Sequence, residues 1–222
     1  MADKPDFWWT DDEGRRRPGY KAKGKGGGLL LAIVLTVAIG AGGTATVAGT
    51  AAAGGSGVTV SASSLRASSQ ARRRDANAAR LRLLRQAVRV EQRFDTTDDC
   101  AAHSYGKVRE FFREHPCVAL HRAWFEVRDG KRGVVLVAVS WVEMPDTRSA
   151  RKFHRLVDTH GTGNVTELSR EEGPYRRVRF TGHHYASRRD GTTVVNAQAE
   201  PVGRAAVAAE LESLAATALR GD

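Results

Sequence analysis

The charge-free run at residues 29–53 constrains this chain more than any other stretch. Its first half, 29–39, is Leu, Ile, Val and Ala with a single Thr, and its second half is Gly, Ala and Thr with a lone Val. As a helix the run would reach roughly 30 Å, enough to span a bilayer. Two readings follow from the same residues. One is a spanning anchor, and the other is an export signal cleaved after the A-x-A-like Ala51-Ala52-Ala53. The long basic stretch ahead of it, with Lys21, Lys23 and Lys25, favours the anchor and keeps the N-terminus inside the cell. The chain then divides into a disordered cytoplasmic tail (1–28), a transmembrane signal-anchor (29–53), a linker (54–63), a basic helical stalk (64–97) and an extracytoplasmic domain (98–222). Gly40, Thr44, Ala48 and Ala52 recur at four-residue steps, which would let two such helices approach closely as a homodimer.

Charge separates these regions further. The net charge of +10 suggests a nucleic-acid or membrane-surface protein until it is divided along the chain. Residues 65–94 carry nine Arg against Asp75 and Glu91, whereas residues 95–222 carry 19 Lys and Arg against 18 Asp and Glu. The folded domain is therefore nearly neutral, and no nucleic acid is expected as a partner. The basic character sits in the stalk, where Ala76, Ala79, Leu83, Ala87, Val90 and Phe94 fall at three- and four-residue steps and predict one amphipathic helix. Its Arg72, Arg73, Arg74, Arg80, Arg82 and Arg85 are the candidate contacts to anionic lipid or an envelope polymer.

The domain opens on the only two cysteines, Cys100 and Cys117. Between them Val108, Phe111, Phe112 and His115 predict one helix, with Ser104 as its cap and Pro116 as its stop. In an exported chain a disulfide is the expectation, stabilising by about 3 kcal/mol for a loop of this size. A catalytic thiol is the rival, without a Cys-x-x-Cys motif to support it. The segment Asp99-Cys100-Ala101-Ala102-His103-Ser104-Tyr105-Gly106 through His115-Pro116-Cys117, with Val139-Ser140-Trp141-Val142-Glu143-Met144-Pro145 and Asp158-Thr159-His160-Gly161-Thr162-Gly163-Asn164-Val165, resembles an uncharacterised family of exported or membrane-anchored actinobacterial proteins. The resemblance spans about residues 98–200. It implies export and paired cysteines, and it supplies no catalytic residue.

Beyond the cysteines, 118–128 and 133–143 flank Asp129-Gly130, and 175–187 and 192–200 flank Asp190-Gly191, two hairpin signals. Asp146 is placed to cap a helix carrying Ala150, Phe153, Leu156 and Val157, and 205–220 predicts a last amphipathic helix. The order helix, hairpin, helix, hairpin, helix predicts an α+β fold. Its expected form is a four-stranded, mainly antiparallel sheet with helices packed on one face, preceded by the transmembrane helix and the stalk.

Chemistry-bearing motifs are sparse. His154, His160, His183 and His184 invite a metal, yet adjacent strand residues face opposite ways and no His-Glu-x-x-His spacing occurs. Gly161-Thr162-Gly163 follows a helix instead of preceding one, so it reads as a helix stop and not as a phosphate loop. No Gly-x-Ser-x-Gly elbow is present, and no cofactor is expected. The expected function is a membrane-anchored, non-enzymatic extracytoplasmic module that binds a protein partner or an envelope component. The rival is an envelope enzyme built on convergent His121, His154, Tyr175 and His183, or a secreted protein released by signal cleavage.

Overall fold

A computed structural model of the chain describes residues 7–10, 16–19, 61–129, 133–203 and 208–220. In chain order the elements are β1 (Phe7–Thr10), β2 (Arg16–Gly19), α1 (Ala62–Leu84), β3 (Arg89–Thr97) and α2 (Gly106–Glu114). They continue with β4 (Ala119–Asp129), β5 (Gly133–Glu143), α3 (Thr147–Val157), α4 (Leu168–Glu171), β6 (Tyr185–Asp190), β7 (Thr193–Val202) and α5 (Ala208–Leu219). Within the tail expected to be disordered, β1 and β2 pair as a two-stranded antiparallel ribbon.

The main sheet has five strands, not four, in the order β3-β4-β5-β7-β6, and every neighbouring pair is antiparallel. The fifth strand is β3, cut from the stretch expected to continue the stalk helix. Residues 90–96 satisfy two periods at once: Val90 and Phe94 are four apart, but Val90, Gln92, Phe94 and Thr96 also alternate with charged Glu91, Arg93 and Asp95. The strand period wins because the even residues meet α1, Gln92 through Asn77 (2.7 Å) and Thr96 through Ser69 (3.0 Å). Meanwhile Asp95, on the other face, reaches Arg122.

The stalk is likewise corrected. Capped by the Ser61 hydroxyl, α1 buries Ala76, Ala79 and Leu83 against the sheet and against α5. The helices therefore cover both faces instead of one. On the α1 and α5 side, Phe125, Val137, Val139, Trp141, Val195 and Ala197 make an apolar layer. On the opposite side, Leu120, Val142 and Val194 pack with Phe112 of α2 and Phe153 of α3. Each such buried aliphatic or aromatic side chain stabilises by about 1.5–3 kcal/mol. Among the described residues no helix is long and apolar enough to cross a membrane, so the expected form with a spanning helix ahead of the domain finds no support there. Residues 29–53 lie outside the described ones.

Asp146 caps α3 as expected, accepting from the backbone N–H groups of Arg148 and Ser149. Ser104 does not cap α2. Its hydroxyl donates to the Cys100 carbonyl (2.7 Å), and Tyr105 stands at the cap position without a side-chain hydrogen bond. Cys100 and Cys117 are joined, their Cα atoms 6.2 Å apart, so the disulfide clasps α2 across its length. The bond is consistent with an extracytoplasmic setting.

Candidate functional site

The sheet face opposite α1 carries a polar stripe through its middle. In β7 the buried alternation Val194, Asn196, Gln198, Glu200 puts two amides and a carboxylate on that face, beside Ser140 of β5 and Arg122 of β4. At one end of the stripe an open cavity of about 320 Å³ lies between the start of α2, the end of α3 and residues 180–185. That volume is at the small end of the range for ligand sites, roughly 300–1,000 Å³.

The loop leaving α3 shapes this cavity. Thr162 donates its hydroxyl to the Leu156 and Thr159 carbonyls, turning the chain sharply at the helix end. Gly163, at φ +93, then runs against the start of α2 so closely that a β-carbon on it would lie 2.2 Å from the Tyr105 carbonyl oxygen. Gly106 is the matching surface, its own β-carbon position 2.7 Å from the Thr162 oxygen. The Tyr105 N–H donates to the Asn164 carbonyl (3.0 Å), and Ser104 bridges Val165. The glycines read as a helix stop thus also meet the N-terminus of a second helix in space.

Two carboxylates border the cavity differently. Asp158, at the end of α3, accepts from the Tyr185 hydroxyl (2.9 Å) and the Ser187 hydroxyl (2.5 Å), and His154 Nε2 lies 3.2 Å from its other oxygen. Burial pushes the Tyr185 hydroxyl well above its ordinary pKa, and burial pulls His154 below its own, so both stay neutral. His154 also meets Ser187 Oγ (3.0 Å), but the Ser187 proton is given to Asp158. His154 is therefore no base for that serine, and the trio positions Tyr185 instead of forming a nucleophile relay.

Glu167 lies behind the cavity wall. It is 5% exposed, and its Oε1 accepts from Gln198 Nε2 (3.2 Å). Burial pushes its carboxyl up. Burial also raises the Tyr105 phenol, with the Glu167 charge adding to it, to about 12. Glu200 is held by the Thr181 backbone N–H (2.8 Å) and hydroxyl. At the rim, His160 stacks on His183 with ring centres 5.8 Å apart.

The residues singled out in the sequence distribute elsewhere. His121 is wholly buried on the α1 side, between Ser68 (2.9 Å) and Thr96 (3.0 Å), and burial lowers its pKa to about 4. Tyr175 donates to Glu126 (2.5 Å) and sets its ring edge-on to Trp124. His154 meets Ser187 and Asp158 while His183 stacks on His160, so the four do not converge. No three His, Cys, Asp or Glu side chains among the described residues are grouped to hold a metal ion. Of the arginines, Arg72 binds Glu143 and Asp75 (2.8 Å each), and Arg73 lies over the Phe94 ring. Arg80 donates to the Val90 carbonyl, Arg82 to the carbonyls of Thr217 and Ala218 at the end of α5. Arg74 and Arg85 are exposed. Tyr105, Asn164, Glu167 and Gln198 escaped sequence reasoning. The alternation of Asn196, Gln198 and Glu200 with Val195, Ala197 and Ala199 is the signal that marks a polar site beneath a buried strand. The chain matches no family model, no curated protein and no solved structure.

Proposed function

We propose that this chain is an extracytoplasmic, non-enzymatic binding module whose ligand occupies the cavity between α2, α3 and β7. The carrying observation is the cavity itself: about 320 Å³, walled by backbone at Gly106 and Gly163 and by aromatic and amide side chains. A binding role is favoured over turnover because its acid and base groups are spent on one another, Asp158 on Tyr185, Ser187 and His154. Export rests on the apolar run at 29–53 and on the Cys100–Cys117 bond. Exposed Arg74 and Arg85 leave room for a contact with anionic lipid or envelope polymer.

A fragment screen by NMR on the purified chain tests the site. Small polar aromatic fragments should shift resonances of Tyr105, His160 and Gln198. Thr159→Trp, which places a large ring at the exposed cavity rim, should abolish those shifts while leaving the rest of the spectrum in place. Hits scattered over the sheet edges, indifferent to Thr159→Trp, would refute the assignment.

A further inference from the structure

Two amides on the cavity wall have one end fixed by the protein and the other end unused. Gln198 is 4% exposed, and its Nε2 is committed to Glu167, which turns its Oε1 toward Gly182, 4.0 Å from the place a β-carbon there would take. That oxygen has no hydrogen-bond partner among the described residues. Asn164 is 6% exposed, and its Oδ1 accepts from the Val165 N–H (2.8 Å) and from Asn196 Nδ2 (3.2 Å). Its own Nδ2 makes no hydrogen bond among the described residues. Both residues line the cavity. An acceptor and a donor at the cavity surface, each on a buried residue and held in orientation from behind, form a reader for a ligand that offers both functions.

Charge and shape narrow the ligand. No Lys or Arg lines the cavity, and Asp158, Glu167 and Glu200 lie in or behind its wall, so an anion is repelled. Asp158 already has three partners, leaving no free carboxylate to demand a cation. Tyr105, Phe180 and Tyr185 supply aromatic surface. The negative face of an aromatic ring attracts the polarised C–H bonds on the flat side of a saturated, hydroxylated ring.

We infer that the cavity binds a neutral saccharide, its hydroxyl or acetamido groups read by Gln198 Oε1 and Asn164 Nδ2 and its ring laid on the aromatic wall. Glu167 acts as a positioning residue, since its bond to Gln198 decides which end of that amide faces the ligand. This inference rests on the cavity being the binding site, as proposed above.

The test is titration of the purified full chain with chitobiose, maltose and tetramethylammonium, followed by calorimetry and by NMR shift mapping. Saturable binding of either sugar with shifts at Tyr105, Asn164 and Gln198 is the expected result. Preference for chitobiose would assign the amide pair to an acetamido group, and preference for maltose to hydroxyls. Tyr105→Leu removes one of the aromatic faces and should weaken sugar binding by up to about tenfold, and Gln198→Met by at least that factor. Because Gln198→Met leaves Glu167 buried without its partner and risks the fold, Tyr105→Leu and the wild-type shift map keep the question decidable. If tetramethylammonium binds in the cavity and neither sugar does, the saccharide inference is overturned while the cavity reading survives. If neither sugar binds and the fragment screen also finds nothing in the cavity, both fall.

Discussion

Arg122 is the side chain whose loss should be felt furthest. Only 1% exposed, it donates to both oxygens of Glu171 (2.8 Å each), to Asp95 (2.8 Å) and to the Thr166 carbonyl (3.1 Å), tying β3, β4 and α4 together. His103 adds a contact to the same Glu171 (2.9 Å). Arg122→Ala should cost about 2 kcal/mol in urea denaturation, because it empties a buried site and leaves the half-buried carboxylates of Asp95 and Glu171 without their charged donor. Arg122→Met with Glu171→Gln should recover part of that, because the stem packing returns and one charge is removed. His121 gives a second residue-scale prediction. Its folded pKa of about 4 lies below the roughly 6.5 of an unfolded histidine. Below pH 6.5 the unfolded chain therefore takes up a proton that the folded chain refuses, and stability should fall between about pH 6.5 and 4 and be flat above. His154 is shifted in the same direction. Replacing His121 with Gln should make the acid slope measurably shallower in chemical denaturation run across that window.

Among elements, α1 most changes how the domain is bounded. It supplies Ala76, Ala79 and Leu83 to the core, and Gln86 just beyond it binds Thr217 of α5 (2.9 Å). Removing residues up to 86 should therefore leave a chain without a cooperative melt. A detachable stalk would leave the melt intact, and near-ultraviolet circular dichroism separates the two outcomes. The disulfide acts on α2 in the same way: replacing both cysteines with Ala should cost about 3 kcal/mol in a thermal melt and loosen the cavity wall at Tyr105. The two hairpins and the Asp146-capped helix were legible because turn and cap residues are local signals, as at Asp190-Gly191, where the glycine sits at φ +55. β3 was not, since α1 ends at Leu84 with Arg85 in ordinary helical geometry and no glycine or proline announces the stop. The long strand expected at 175–187 shrank to Tyr185–Asp190, because Tyr175 and Gly173 instead pack on Trp124. The cavity was hidden for a different reason: Tyr105, the 158–164 loop and Gln198 meet only through tertiary packing.

At the scale of the whole molecule, the charge of the chain and the placement of its arginines pull apart. A net +10 suggests a sticky polycation, yet Arg72, Arg80, Arg82 and Arg122 are spent inside the fold on carboxylates and carbonyls. An alkaline phosphatase fused after Asp222 should be active in cells, and the non-reduced chain should weigh less than the reduced one by the two thiol hydrogens. An inactive fusion together with free thiols would refute export. The contact between Gly163 and the Tyr105 carbonyl carries a last consequence. Because that side of the cavity is main chain against main chain, its outline is insensitive to most side-chain replacement, while lining side chains with no hydrogen bond behind them, such as Phe180, can be exchanged without redrawing it. The molecule therefore keeps a fixed mould with a replaceable lining, and variants of this chain should be able to drift in what they bind long before they lose the place where they bind it.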